Sequence, residues 1–148
     1  MKISAIIFDL DKTLFSGNSK ILEGIENFME DLGEGGIQTA LTTSNTWEIT
    51  EKALEKIGFR KHLDAITTVE EAVYDKPEPH LFTLTAEKLA VEREDCLILT
   101  DSGPGLEAGK RAGMKTIVIS DGEEGNFSKA DMEVESISEI TPKLIEGL

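Results

Sequence analysis

Short, β-branched apolar runs alternate along this chain with stretches whose apolar residues recur at helical spacing. Ile3–Phe8, Ile37–Thr42, Ala65–Thr68, Cys96–Thr100 and Thr116–Ser120 read as strands, with Met132–Val134 as an added edge strand. Between them Gly24–Leu32, Thr46–Ile57, Pro79–Leu89, Gly105–Ala112 and Ser138–Leu148 read as helices. The second of these places Trp47, Ile49, Ala53, Leu54 and Ile57 on an apolar side, with Gly58 as its C-cap. Pro79 suits the first turn of its helix, and Gly113 stops the next. Regular strand–helix alternation predicts an α/β fold: a parallel, Rossmann-like sheet covered by helices on both faces, three layers in all. Right-handed crossovers then bring the strand ends together along one edge. Asp121–Asp131 is the most loop-like stretch, polar and glycine-containing.

Composition narrows the partners. A chain of 148 residues is expected to form one domain, 1–148, large enough for a true core. Its 29 acidic residues against 15 basic ones give a formal charge of −14, which repels nucleic-acid backbones and anionic membranes. No segment approaches the roughly 20 apolar residues of a membrane helix. Asp9 interrupts the first apolar run too early for a signal peptide. Cys96 is the single cysteine, which suits a reducing, cytoplasmic setting, and it reads as a core filler.

The chemistry gathers where strands end. Asp9, Asp11 and Thr13 follow the first strand, and Thr43, Ser44 and Asn45 follow the second. Lys76 precedes the Pro79 helix, and Asp101-Ser102 follows the Cys96–Thr100 strand. In open α/β sheets that edge is where ligands bind. Two carboxylates two residues apart repel each other and resist burial, so a divalent cation or shared proton and phosphoryl chemistry would account for them. Taken singly, the hydroxyls are ordinary helix caps and the lysine an ordinary loop residue. Their convergence on one rim is what points to a site.

As a set these segments resemble the haloacid dehalogenase superfamily, most of whose members are phosphatases. Asp9-Leu10-Asp11-Lys12-Thr13 matches its DxDxT motif, and Thr43 after Ala40-Leu41-Thr42 matches the second motif. Lys76-Pro77-Glu78-Pro79-His80-Leu81-Phe82 matches the third. Thr100-Asp101-Ser102-Gly103-Pro104-Gly105, followed by Ala112-Gly113-Met114, matches the fourth. The resemblance implies a Mg2+-dependent phosphatase in which Asp9 is the nucleophile that becomes an aspartyl-phosphate. It makes Asp11 the general acid and base. It gives the phosphate to Thr43, Ser44 and Lys76, and the metal to Asp9, the Asp11 backbone carbonyl and Asp101. Two departures stand out. Members often carry a further acid near the fourth motif, whereas positions 100 and 105 here are Thr and Gly. Lys12 occupies a place often held by Gly, and its side chain is expected to face solvent.

Many members insert a cap domain after the first or second motif. Leu14–Gln38 and Thr46–Asp75 leave no room for one, so an open, capless site is expected. Ser16–Lys20 is the best local gate. The expected substrate is a small phosphorylated molecule, with a neighbouring subunit of a homo-oligomer as lid. A large phosphorylated substrate is the other reading of an open site. Receiver domains offer a competing function as phosphate-accepting signalling modules, but there the accepting aspartate lies mid-chain. A non-catalytic subunit is a third reading. Trp47 and Met29, Met114 and Met132 read as packing, His80 as a helix-start residue and His62 as surface.

Overall fold

The computed structural model describes residues 2–16, 22–120 and 125–148. Its strands are β1 (Ala5–Asp9), β2 (Gln38–Thr43), β3 (Ala65–Thr68), β4 (Cys96–Thr100), β5 (Lys115–Ile119) and β6 (Met132–Val134). Its helices are α1 (Asp11–Ser16), α2 (Ile25–Glu34), α3 (Trp47–Ile57), α4 (His80–Leu89), α5 (Gly103–Arg111) and α6 (Pro142–Glu146). The strands form one parallel sheet in the order β3-β2-β1-β4-β5-β6. From β1 the chain moves outward to β2 and β3, then returns to lay β4 against the other side of β1. The order therefore reverses between β1 and β4, and the crevice at their carboxyl ends is the binding place of such sheets. Register fixes what meets there: Ala5 lies opposite Cys96, and Asp9 opposite Thr100.

Strand alternation divides the core in two. Ile6, Phe8, Leu41, Leu97, Leu99 and Ile117 point to the face covered by α2 and α6. Phe8 meets Phe28 and Phe59 edge-on, with ring centroids 6.2 and 5.9 Å apart. Ala5, Ile7, Ala40 and Ile98 point the other way, toward Phe82, Ala86 and Leu89 of α4 and Ala108 of α5. Every residue of β1 is buried, Asp9 included. Cys96 is fully buried, and burial pushes its thiol up to about 11. Among the described residues no helix is long and apolar enough to cross a membrane.

Departures from the expected elements have local causes. α1 begins on Asp11, the second acid of the pair, and had no apolar periodicity to announce it. Because Ser102 accepts the Gly105 N–H at 3.1 Å with Pro104 in the first turn, α5 starts two residues early, at Gly103. Pro79 is the N-cap of α4. The last helix is shorter than expected, since Thr141 caps it by accepting the Leu144 N–H at 3.1 Å. Trp47 and Ile49 are 39% and 48% exposed, so the apolar side of α3 is narrower than expected, with Thr50 and Leu54 its buried residues. The Trp47 ring instead lies under the Arg60 guanidinium, 5.7 Å from the ring centroid. His62 is half-buried, its carbonyl accepting from Thr39 Oγ1 at 2.5 Å. Met29 and Met114 are buried and Met132 is half-buried against the core. Ser16 ends α1; residues 17–20 of the expected gate and residues 121–124 of the polar stretch lie outside the described residues.

Candidate active site

The site is built on Asp9. As the last residue of β1 it is fully buried, at the point where strand order reverses. Both of its carboxylate oxygens are held. Lys76 Nζ lies 2.7 Å from Oδ1, and Thr100 donates to Oδ2 at 2.9 Å. Thr42 donates more weakly to Oδ1, at 3.5 Å. Burial pushes the carboxyl up to about 6; Lys76 works against that and the neighbouring Asp11 adds to it. Gly105 makes this packing feasible. A Cβ there would collide with Thr100 Oγ1 and Asp9 Oδ2, so α5 can approach only without a side chain.

Asp11 opens α1, one residue beyond Leu10, and faces the same crevice. Its Oδ1 accepts from Thr43 Oγ1 at 2.7 Å. Its Oδ2 accepts the Ser44 N–H at 2.9 Å and lies 3.1 Å from Lys76 Nζ. Ser44 Oγ donates to Asp75 Oδ1 at 2.7 Å, which ties the end of β2 to the loop carrying Lys76. Burial opposes the Lys76 charge, but the Asp9 and Asp11 carboxylates outweigh it and raise the ammonium's pKa. Lys76 is therefore a fixed cation between the two acids. The donors expected to hold phosphate converge here on the Asp11 carboxylate.

Asp101 sits on the other side of Asp9, and its N–H donates to the Asp9 carbonyl at 3.3 Å. Its Oδ2 accepts both the N–H and the Oγ1 of Thr13, each at 2.7 Å. Its Oδ1 is buried and has no hydrogen-bond partner among the described residues. Burial raises this carboxyl, Thr13 acts to lower it, Asp11 to raise it and Lys12 to lower it. An orphaned carboxylate oxygen in a polar crevice asks for a cation. The oxygens available are hard ligands of the kind Mg2+ takes: the Asp9 and Asp101 carboxylates and the Asp11 backbone carbonyl. Among the described residues no group of three or more His, Cys, Asp or Glu side chains is arranged around a metal position, so this set rests on two carboxylates and a main-chain oxygen.

All the residues expected at the site, Asp9, Asp11, Thr43, Ser44, Lys76 and Asp101, lie around this one crevice. Sequence reasoning missed the work of Thr13, Thr42 and Thr100, which orient the acids. Thr13 was visible as the last letter of its motif, and the pairing of Thr100 with Asp9 follows from strand register. Lys12 is exposed, as expected, and near enough to Asp101 to act on it electrostatically. His80 begins α4 and accepts the Val73 N–H on Nδ1 at 2.9 Å, so its ring is spent on the loop before the helix.

Similarity to known proteins agrees with this geometry. The family model for haloacid dehalogenase-like hydrolases matches residues 15–119. Hexitol phosphatase B of Escherichia coli (strain K12) is 32% identical over 130 residues, which are 86% of this chain and 59% of that protein. The chain thus spans less than two thirds of that relative. The crystal structure of CbbY from Rhodobacter sphaeroides in complex with phosphate superimposes with a TM-score of 0.71 at 29% identity, covering 78% of this chain and 54% of that one. A β-phosphoglucomutase from Clostridium difficile gives a TM-score of 0.74 at 25% identity, over 84% of this chain and 54% of its own. Sheet order, motif order and sequence likeness lead to one assignment: the chain belongs to the haloacid dehalogenase-like hydrolase family.

Proposed function

We propose that this chain is a phosphomonoester hydrolase working through Asp9. The observation that carries the reading is the state of that side chain: buried at the switch point, with Lys76 on one oxygen and Thr100 on the other. A carboxylate so oriented is a nucleophile held in place, not a solvated surface charge. Asp9 attacks phosphorus as the bond to the ester oxygen breaks, and Asp11 donates a proton to that departing oxygen. Water then attacks the phosphorus of the aspartyl-phosphate. Asp11 takes its proton, and Asp9 and inorganic phosphate are released. Lys76 offsets charge on the phosphoryl oxygens throughout, and Thr43 and the Ser44 N–H turn from Asp11 to the phosphate when it enters. Mg2+ held by Asp9, Asp101 and the Asp11 carbonyl would supply the positive charge that lets an anionic nucleophile meet an anionic ester.

Residues 1–148 read as a single domain with an open site. Among the described residues, α1 and α2 are the helices between β1 and β2, and α3, β3 and short 3-10 turns lie between β2 and Lys76. The substrate is a small phosphorylated molecule, a class supported by the name of the hexitol phosphatase relative. The acidic surface disfavours a nucleic-acid end. The buried, lone Cys96 suits the cytoplasm. An open site also favours transfer to water over the phosphoryl relocation of a mutase, which must exclude water.

The test is a panel of several dozen phosphomonoesters assayed with Mg2+, beside Asp9→Asn. Mg2+-dependent release of phosphate that Asp9→Asn abolishes supports the reading. Silence across the panel, or turnover indifferent to the substitution, contradicts it.

A further inference from the structure

Among the described residues, the exposed large hydrophobic side chains are Trp47, Ile49, Val73 and Tyr74. All belong to the two segments that frame the site, one following Thr43 and Ser44, the other leading into Lys76. Scattered surface apolar groups are ordinary, but confinement of the large ones to the active-site frame is not. The Trp47 ring already carries Arg60 on one face. Val73 and Tyr74, 75% and 64% exposed, stand immediately before Asp75 and Lys76.

Their loop is fastened on several sides. The Val73 N–H donates to His80 at 2.9 Å, Asp75 Oδ1 accepts from Ser44 Oγ and from the Lys76 N–H, both at 2.7 Å, and the Glu78 N–H donates to the Asp75 carbonyl at 3.1 Å. A side chain on a held loop is a pre-organised contact, losing little freedom when a ligand lands on it. Tyr74 lies two residues from Lys76, within ~7 Å along the backbone. Lys76 in turn reaches both Asp9 and Asp11. The organic part of an ester whose phosphorus sits at Asp9 would extend from the crevice that this loop borders through Lys76. The exposed acids Glu70, which accepts the Trp47 N–H at 2.6 Å, and Asp75 beside Tyr74 disfavour a second anionic group on the substrate, whereas Glu71 is paired with Lys88.

We propose that Tyr74, backed by Val73, is a specificity-determining contact, and that it selects phosphate monoesters whose alcohol part presents a flat aromatic face without further negative charge. This builds on the phosphomonoesterase reading and names the substrate class of that site.

The decisive experiment separates binding from turnover. Benzylphosphonate and methylphosphonate cannot be hydrolysed, and their binding to the full chain with Mg2+ is measured by calorimetry. Benzylphosphonate should bind roughly three- to tenfold tighter, as aromatic contacts typically provide. Tyr74→Ala should remove that difference and Tyr74→Phe should keep it. Equal affinities in the unaltered protein, or a preference untouched by Tyr74→Ala, overturn the proposal whether or not any ester is hydrolysed. Turnover supplies the second arm. Benzyl phosphate and a hexitol phosphate are both primary alkyl esters of similar leaving-group strength. Tyr74→Ala should raise KM for the first several-fold, with kcat nearly unchanged, and leave the hexitol ester within about twofold. An equal effect on both esters contradicts a role in selecting the aromatic face. Absence of all turnover contradicts the hydrolase reading instead, and the phosphonate comparison still decides the role of Tyr74.

Discussion

Thr100 lies directly across the β1–β4 pairing from Asp9 and donates its hydroxyl to Asp9 Oδ2 at 2.9 Å. The hydrogen bond is buried on both sides and ends on a carboxylate. Hydrogen bonds to charged groups contribute about 1.5–3 kcal/mol. Thr100→Val keeps the shape of the side chain and removes the donor, leaving Asp9 oriented by Lys76 and the weaker Thr42 contact. We expect kcat to fall about ten- to a hundredfold with KM little changed, measured on the best ester of the panel. An unchanged kcat would mean that the orientation of Asp9 does not depend on this contact.

Gly105 and Gly103 make a matched pair. A Cβ at 105 would run into Thr100 Oγ1 and Asp9 Oδ2, whereas one at 103 meets nothing within 4 Å. Gly105→Ala should therefore destabilise the fold by about 1–3 kcal/mol and abolish turnover by displacing the Asp9 carboxylate. Gly103→Ala should fold and act nearly as the unaltered protein does. Thermal unfolding and activity on the two variants check this. The same contact explains why no acid stands at position 105: Asp9 itself occupies the space.

The buried Oδ1 of Asp101 has no hydrogen-bond partner among the described residues, and burial raises the carboxyl above its ordinary value. Such a group penalises the folded state as it ionises, unless a cation satisfies it. Adding Mg2+ should thus raise the Tm of the protein at neutral pH, in proportion to binding. Asp101→Asn should be as stable as the unaltered protein, or more so, without metal. It should also show no Mg2+-dependent rise in Tm. A full Mg2+ response in the variant would place the cation elsewhere.

Away from the site, Asp131 anchors the loop before β6. Its carboxylate pairs with Lys110, lies 3.8 Å from Lys115 and accepts the Thr116 N–H at 2.7 Å. Burial acts to raise its pKa, but Lys110 and Thr116 outweigh it and hold the group below its ordinary value. A carboxyl with a depressed folded pKa contributes stability above its unfolded pKa and loses it as pH falls through the folded one. Asp131→Asn should cost about 1 kcal/mol at pH 7, after allowance for partial exposure. The difference from the unaltered protein should shrink as pH falls below about 4. Denaturant midpoints across that range give the answer, and a difference independent of pH would assign the effect to packing.

Much of this was legible in the sequence because the strands are short and strongly apolar and the site residues sit at their ends. Asp9, Lys76 and Asp101 lie far apart along the chain, yet a parallel sheet has one carboxyl edge where all of them must meet. Two kinds of information were not legible. One was contact across strands, such as Thr100 with Asp9, which needs register and not only periodicity. The other was the exposure of Trp47 and Tyr74. An apolar residue in a helical pattern reads as core, and only the packed structure reveals that Trp47 lies partly exposed under Arg60 and that the fastened loop holds Tyr74 in the open.

Asp9 is expected to carry the phosphoryl group between ester and water. Acid-quenching the protein during turnover with Mg2+, digesting it and weighing the peptide that contains Asp9 tests this directly. We expect one phosphoryl group on that peptide, lost when substrate is exhausted and never seen in Asp9→Asn. Continued hydrolysis with that peptide unmodified, or with the phosphoryl group on another residue, would contradict it.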